Sequence, residues 1–217
     1  MTAEVNDERL AGCLTDTTLH ATVLHAMGHD LASGLTSAVS PAACRNARRT
    51  GEDLPELVDS VDQALAAWLP EQFCTAVPTQ LDLATGMLRW SNCGHPAPLL
   101  IRDQQPVGDT LEGEPDPPMG LPFLLAGRSR QIHEYALQPG DRVLLYTDGV
   151  TEARTRDGRL FGLERFADHV TRATAAGELA PESLRRLIHA VLDTKTSRLQ
   201  DDATILLLEW NPPAPES

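Results

Sequence analysis

Positive charge is what this 217-residue chain most lacks: 18 Lys and Arg stand against 31 Asp and Glu, a net charge of -13. That balance argues against a nucleic-acid partner, because phosphate backbones are met with Lys and Arg. It argues equally against an anionic membrane surface. Lys195 is the only lysine, a bias in codon usage more than a functional signal. No apolar run reaches the length of a membrane span. The opening MTAEVNDERL has neither the basic nor the apolar region of a signal peptide. Cysteine is sparse and scattered: Cys13, Cys44, Cys74 and Cys93 show no CxxC spacing. A zinc site and a disulfide framework are therefore not expected, and a reducing cytoplasm is the expected compartment. No internal repeat is present. A chain of this length can bury a substantial core without crosslinks, and one domain over 1–210 is the expectation, with 211–217 (NPPAPES) a disordered tail.

The hydrophobic pattern changes period along the chain. Residues 17–27 (TTLHATVLHAM) alternate and are β-branched, which predicts a strand. Residues 31–49 are rich in Ala and Leu and predict a helix, kinked or split at Pro41. Asp53 and Glu56 have the spacing of a capping box. Leu54, Leu57, Val58, Val61, Leu65 and Trp68 then form one apolar helical face, open to two roles, core or homodimer contact through the 31–69 pair. Strands are predicted over 73–83, 86–92 and 97–102, with Pro78 marking an edge or a bulge in the first. Residues 103–128 are Pro- and Gly-rich and predict the longest loop. Strands over 132–137 and 141–147 precede helices over 162–173 and 181–195, and a buried strand over 203–210 closes the pattern. Runs of strands and runs of helices, without strict alternation, favour an α+β fold of antiparallel sheets with helices outside.

Three short segments carry chemistry. They are Ser91-Asn92-Cys93-Gly94-His95-Pro96, Tyr146-Thr147-Asp148-Gly149-Val150-Thr151-Glu152 and Leu199-Gln200-Asp201-Asp202-Ala203-Thr204. Asp148 follows an apolar strand, and the pair Asp201 and Asp202 precedes another. Such placement lets carboxylates from distant parts of the chain meet at one end of a sheet, the arrangement that holds hard cations such as Mg²⁺ or Mn²⁺. His95, before Pro96, reads as the fixed corner between two strands. Cys93 has no charged neighbour in sequence and reads as an inert small residue.

With AMGHDLASGL (26–35), residues 75–102, residues 137–166 and LQDDATILLLEW (199–210) in this order, the chain resembles the SpoIIE and RsbU-like branch of the PPM (PP2C-type) serine/threonine phosphatases. The resemblance covers nearly the whole chain. It implies a PP2C-like antiparallel β-sandwich flanked by helices, with divalent cations, Mn²⁺ or Mg²⁺, at one end. It implies that metal-bound water is the nucleophile, so that no side chain attacks. The implied partner is a phosphorylated signalling protein of bacteria, such as an anti-sigma-factor antagonist, and the first helix pair is the implied regulatory element.

The sequence departs from the family pattern at two places. The family's D-x-M-G-H-G motif reads His25-Ala26-Met27-Gly28-His29-Asp30, with histidine in place of the bridging aspartate. The family's first acidic motif aligns with Asn6-Asp7-Glu8 and Ala11, so Glu8 stands in for one carboxylate and Ala11 removes the other. The expected metal ligands are thus Asp148, Asp201 and Asp202, with Glu8 and His25 as substitutes. Gly28, His29, Gly149 and His95 are expected close by. A neutral imidazole offers one lone pair and cannot bridge two ions, so at most one well-bound cation is expected. Two functions are open: a metal-dependent phosphatase with a degraded site, or a weak or inactive pseudophosphatase that binds partners.

Overall fold

The computed structural model describes residues 10–14, 17–28, 30–151, 162, 168 and 204–212. In chain order the strands are β1 (Leu10–Leu14), β2 (Thr18–Ala26), β3 (Cys74–Asp82), β4 (Met87–Trp90), β5 (Leu99–Arg102), β6 (Gln105–Val107), β7 (His133–Ala136), β8 (Arg142–Tyr146) and β9 (Ile205–Glu209). The helices are α1 (Leu31–Thr50), α2 (Leu54–Trp68) and the short α3 (Asp148–Thr151), with a 3-10 turn at Pro122–Leu125. The chain divides into two compact units, Met1–Ala97 with Gly113–Leu137 and Pro212–Ser217, and Pro98–Glu112 with Gln138–Asn211. Among the described residues each unit has one antiparallel sheet, in the orders β1-β2-β3-β4-β7 and β6-β5-β8-β9. This is the expected α+β pattern. The helix expected over 162–173 (apart from residues 162 and 168), the one expected over 181–195 and the tail beyond Pro212 lie outside the described residues.

In the first unit the helix pair covers one face of the sheet. Side chains alternate between faces along a strand. Leu24 of β2 stands opposite Ala76 of β3, and Ala26 opposite Cys74. Leu24, Cys74 and Ala76 form one buried cluster with Cys44 and Ala47 of α1 and Leu57, Val58, Val61 and Leu65 of α2. The other face carries Val23 opposite Val77 and His25 opposite Thr75.

Local sequence sets the ends of both helices. Asp30 caps α1 by accepting from the Ser33 amide at 2.9 Å. Gly51 ends it with φ 79°, a left-handed conformation that costs glycine little. The capping box of α2 is present in both directions, with Glu56 N donating to Asp53 Oδ1 at 3.0 Å and Asp53 N donating to Glu56 Oε2 at 3.0 Å.

Five sequence expectations need correction. Pro41 does not split α1, which runs unbroken from Leu31 to Thr50. Its ring is buried with Ser33, Thr36, Ser40, Cys44 and Ala47, and that packing outweighs the one helical bond proline cannot make. Trp68 is 76% exposed and does not join the apolar face; Leu69, at the C-cap, packs there instead. Pro78 is on neither an edge nor a bulge, because β3 lies between β2 and β4 in regular register. Its carbonyl accepts from Ser91 N at 3.2 Å, and the donor it lacks falls where the β3–β4 ladder gives out after Trp90. The expected loop over 103–128 contains β6 and the 3-10 turn. β6 pairs with β5 through a tight turn in which Asp103 (φ 48°) and Gln104 (φ 63°) are both left-handed, a geometry usually signalled by Asn-Gly. Lastly, β1 pairs with β2 from Leu10↔Val23 to Leu14↔Leu19, a hairpin absent from the sequence reading.

The connection from Gly113 to Gln131 is tied to α2 by a buried ion pair. Asp62 and Arg130 are 4% and 8% exposed. Arg130 Nη2 lies 2.9 Å from Asp62 Oδ2, and Gly120 N donates to Asp62 Oδ1 at 2.6 Å. Gly120 has φ 94°, and a Cβ there would stand 2.4 Å from the Gln72 carbonyl oxygen. Asp116 accepts from Gln131 N at 2.6 Å and pairs with Arg128. Replacing Arg130 by Ala leaves Asp62 charged and buried, so urea denaturation should show a loss of about 3–5 kcal/mol. A loss of about 1 kcal/mol or less, the size of an exposed pair, would contradict this reading.

Candidate metal centre

In the second unit, the apolar run Val143-Leu144-Leu145-Tyr146 is buried and pairs with both β5 and β9. Burial and, secondarily, Glu112 raise the pKa of the Tyr146 phenol. Thr147 follows, fully buried, and then the half-buried Asp148 opens α3. Two hydrogen bonds fix this end of the strand: Thr147 N donates to Thr204 O at 3.0 Å, and Thr204 N donates to Thr147 Oγ1 at 2.9 Å. Thr147 O accepts from Val150 N at 3.1 Å, and Asp148 Oδ1 accepts from Gly149 N at 2.9 Å. Gly149 thus follows Asp148 in α3 and binds its carboxylate through its amide. Asp201 and Asp202 precede Thr204 by three and two positions and lie outside the described residues, as do Glu8 and His29.

In the first unit, His25 is the last but one residue of β2 and is 5% exposed. Its Nδ1 is buried and has no hydrogen-bond partner among the described residues. Thr75, opposite it in β3, has Oγ1 2.9 Å from Nδ1 of His95. His95 is itself 5% exposed, and its amide donates to Asn92 Oδ1 at 2.9 Å. These bonds hold His95 to Thr75 and Asn92. Ala11 lies in β1, opposite Thr22.

Gly28 is a backbone requirement. Its φ is 102°, and a Cβ there would stand 2.7 Å from Ser33 Oγ. That hydroxyl lies 2.9 Å from the Met27 carbonyl oxygen and 2.8 Å from Asp30 Oδ1. Hydrogen bonding, first from the Ser33 amide and then from its hydroxyl, holds the Asp30 carboxyl below the usual carboxylate range. A pocket of about 400 Å³ opens here, lined by Met27, Gly28, Asp30, Ser33, Glu71, Gln72 and Phe73. The sequence reading missed this pocket and the Thr147–Thr204 clamp. The Asp30-x-x-Ser33 cap was the available signal for the first. Nothing local signals the second, which joins residues 57 apart.

Among the described residues, no three His, Cys, Asp or Glu side chains gather into a cation cage. His25 and Asp148 are the expected ligands that are described, and they belong to different units. Both suit a divalent cation as donors. His25 presents a buried ring nitrogen without a partner, and Asp148 is a half-buried carboxylate at a strand end.

The family described as Stage II sporulation protein E (SpoIIE) matches residues 15–211. Protein IcfG of Synechocystis is 28% identical over 99 residues, which are 46% of this chain and 15% of that protein. The structure of the RsbU and RsbW domains of Rv1364c from Mycobacterium tuberculosis superposes with a TM-score of 0.73 at 24% identity, over 95% of this chain and 57% of that one. The SiaA-PP2C domain of Pseudomonas aeruginosa gives a TM-score of 0.77 at 20% identity, covering 93% and 80%. The chain therefore spans well under two thirds of both IcfG and the Rv1364c chain. The fold likeness is to PP2C-type phosphatase domains.

Burial raises the thiol pKa values of Cys44, Cys74 and Cys93 to about 12 each. A thiol held protonated is neither a nucleophile nor a metal ligand. These three cysteines should resist a thiol reagent at neutral pH in the folded chain and react once urea unfolds it. Rapid labelling of Cys93 in the native state, read by mass spectrometry, would contradict this.

Proposed function

The chain belongs to the SpoIIE family, and from that premise we propose that it is a metal-dependent phosphoprotein phosphatase domain, 1–210, whose metal site is degraded. The observation that carries this reading is Asp148 at the end of β8, beside the Thr147–Thr204 bonds that start β9 just after Asp201 and Asp202. Asp148 and Asp201 would hold the cation, Mn²⁺ or Mg²⁺, with Asp202, Glu8 and His25 as further or substitute ligands. A bound cation would neutralise the dianionic phosphomonoester and lower the pKa of an attacking water. The chain's own part is to position carboxylates rigidly at strand ends and to leave no competing nucleophile. Its acidic surface repels free phosphate, so the positive potential at the site must come from the cation.

The proposed substrate is a phosphorylated signalling protein, such as an anti-sigma-factor antagonist, and the proposed setting is cytoplasmic. No helix among the described residues is long and apolar enough to cross a membrane. A homodimer through the 31–69 helix pair is a further proposal. A second reading, a pseudophosphatase that binds partners without turnover, is favoured by one observation: His25 occupies a position where a bridging carboxylate is expected.

The two readings separate in a turnover assay on a phosphoserine protein with Mn²⁺. The wild-type chain should be slow, and His25→Asp should raise the rate by about 100-fold or more, the scale of one preorganised electrostatic group. Asp148→Asn should remove the activity in either background. Wild-type turnover as fast as that of His25→Asp would overturn the degraded-site reading.

A further inference from the structure

The pocket of about 400 Å³ at the start of α1 lies wholly within the first unit and has two kinds of wall. Met27, 45% exposed, and the half-buried Phe73 supply apolar surface. Asp30 and Glu71, both exposed, supply carboxylates, and no Lys or Arg is among the described residues that line it. The fold fixes both sides. Ser33 Oγ donates to the Met27 carbonyl at 2.9 Å, and a Cβ on the left-handed Gly28 would stand 2.7 Å from that hydroxyl oxygen. Opposite, Gln72 N donates to Leu69 O at 3.0 Å, and the Gln72 carbonyl oxygen packs against Gly120, 2.4 Å from where a Cβ would stand. The Ser33 amide and hydroxyl both bind Asp30 Oδ1 and keep this carboxyl charged at neutral pH. A carboxylate has a second oxygen with which to accept from a ligand.

Such a lining does not suit a bare metal ion, which needs about six oxygen ligands or more. The described residues hold no group of three metal-binding side chains here. The lining does suit a long cation with an apolar stem. Lys and Arg lay their methylenes along apolar surface and keep the charged head at polar partners, and carboxylates accept strongly from such a head. We infer that this is a specificity pocket for a basic side chain, Arg or Lys, carried by the protein substrate: Met27 and Phe73 pack the stem while Asp30 and Glu71 accept from the head. This rests on the phosphatase reading above and deepens it by naming a feature of the substrate. Met27, Gly28 and Asp30 belong to the segment aligned with the D-x-M-G-H-G motif, so the seated residue comes from the stretch that bears the phosphoserine. A chain of net charge -13 repels a phosphoprotein. A basic residue in an acidic pocket offsets that repulsion at one defined place.

The test is titration of the full chain, with Mn²⁺ present, against labelled phosphoserine peptides in which one Arg is walked along an otherwise neutral sequence. Fluorescence anisotropy gives the affinity of each Arg peptide relative to its Arg-free parent. The wild type should favour Arg at one position by about fivefold or more, the upper end of what an exposed charge pair gives. Asp30→Asn with Glu71→Gln should abolish that preference. Asparagine caps a helix as well as aspartate does, so α1 keeps its start, and thermal melts check the fold. Glu71→Arg should reverse the preference, favouring Glu at the same position, a gain that misfolding cannot produce. Equal affinity for every peptide in the wild type, or a preference unchanged in the double variant, would overturn the inference. Mn²⁺-dependent hydrolysis of the same peptides would then leave the phosphatase reading standing. An Arg preference with no hydrolysis of any peptide, by the wild type or by His25→Asp, would instead contradict the phosphatase reading and keep the pocket.

Discussion

Carboxylates repel one another, and a protein that gathers them must hold their backbones by something stronger. At the proposed site that role would fall to the strand pairing at the end of β8. The ladder from Arg142↔Glu209 to Tyr146↔Ile205 continues into the two bonds between Thr147 and Thr204. Neither threonine is free to move, because one is fully buried and the other nearly so. Asp148 follows the first directly, and Asp201 and Asp202 stand just before the second. A local turn alone would leave Asp148 in solvent. The clamp fixes the end of the strand that it follows.

The first unit solves a different problem with the same means. Its sheet must carry a helix pair on one face and present His25 on the other. Alternation along β2 does both, because Leu24 turns toward α1 and α2 while His25 turns away. The end of β2 then leads through Gly28, whose left-handed backbone admits no side chain beside Ser33, into the cap of α1. The buried Asp62–Arg130 pair ties the returning chain to α2.

Much of this was legible in sequence. The capping box at Asp53, the alternation of β2 and the apolar run before Asp148 each depend on neighbours a few residues apart, and local patterns report local structure. Features that depend on distant partners were not legible. Pro78 reads as an edge residue until β3 is seen to lie between β2 and β4. Trp68 reads as core until Leu69 takes that place. The β5–β6 turn at Asp103-Gln104 lacks the residues that advertise its backbone. At the candidate site, the position of Asp148 directly after an apolar strand was legible from its neighbours. That the buried ring nitrogen of His25 has no partner among the described residues is a property of the folded chain, and no pattern in the sequence carries it.

The central claim of the proposed function is that Asp148, directly after β8, is a ligand of a divalent cation. Anomalous diffraction from crystals grown with Mn²⁺ tests it most directly. The account predicts a strong peak with the Asp148 carboxylate among its ligands. A peak remote from Asp148, or no peak at all, would contradict it.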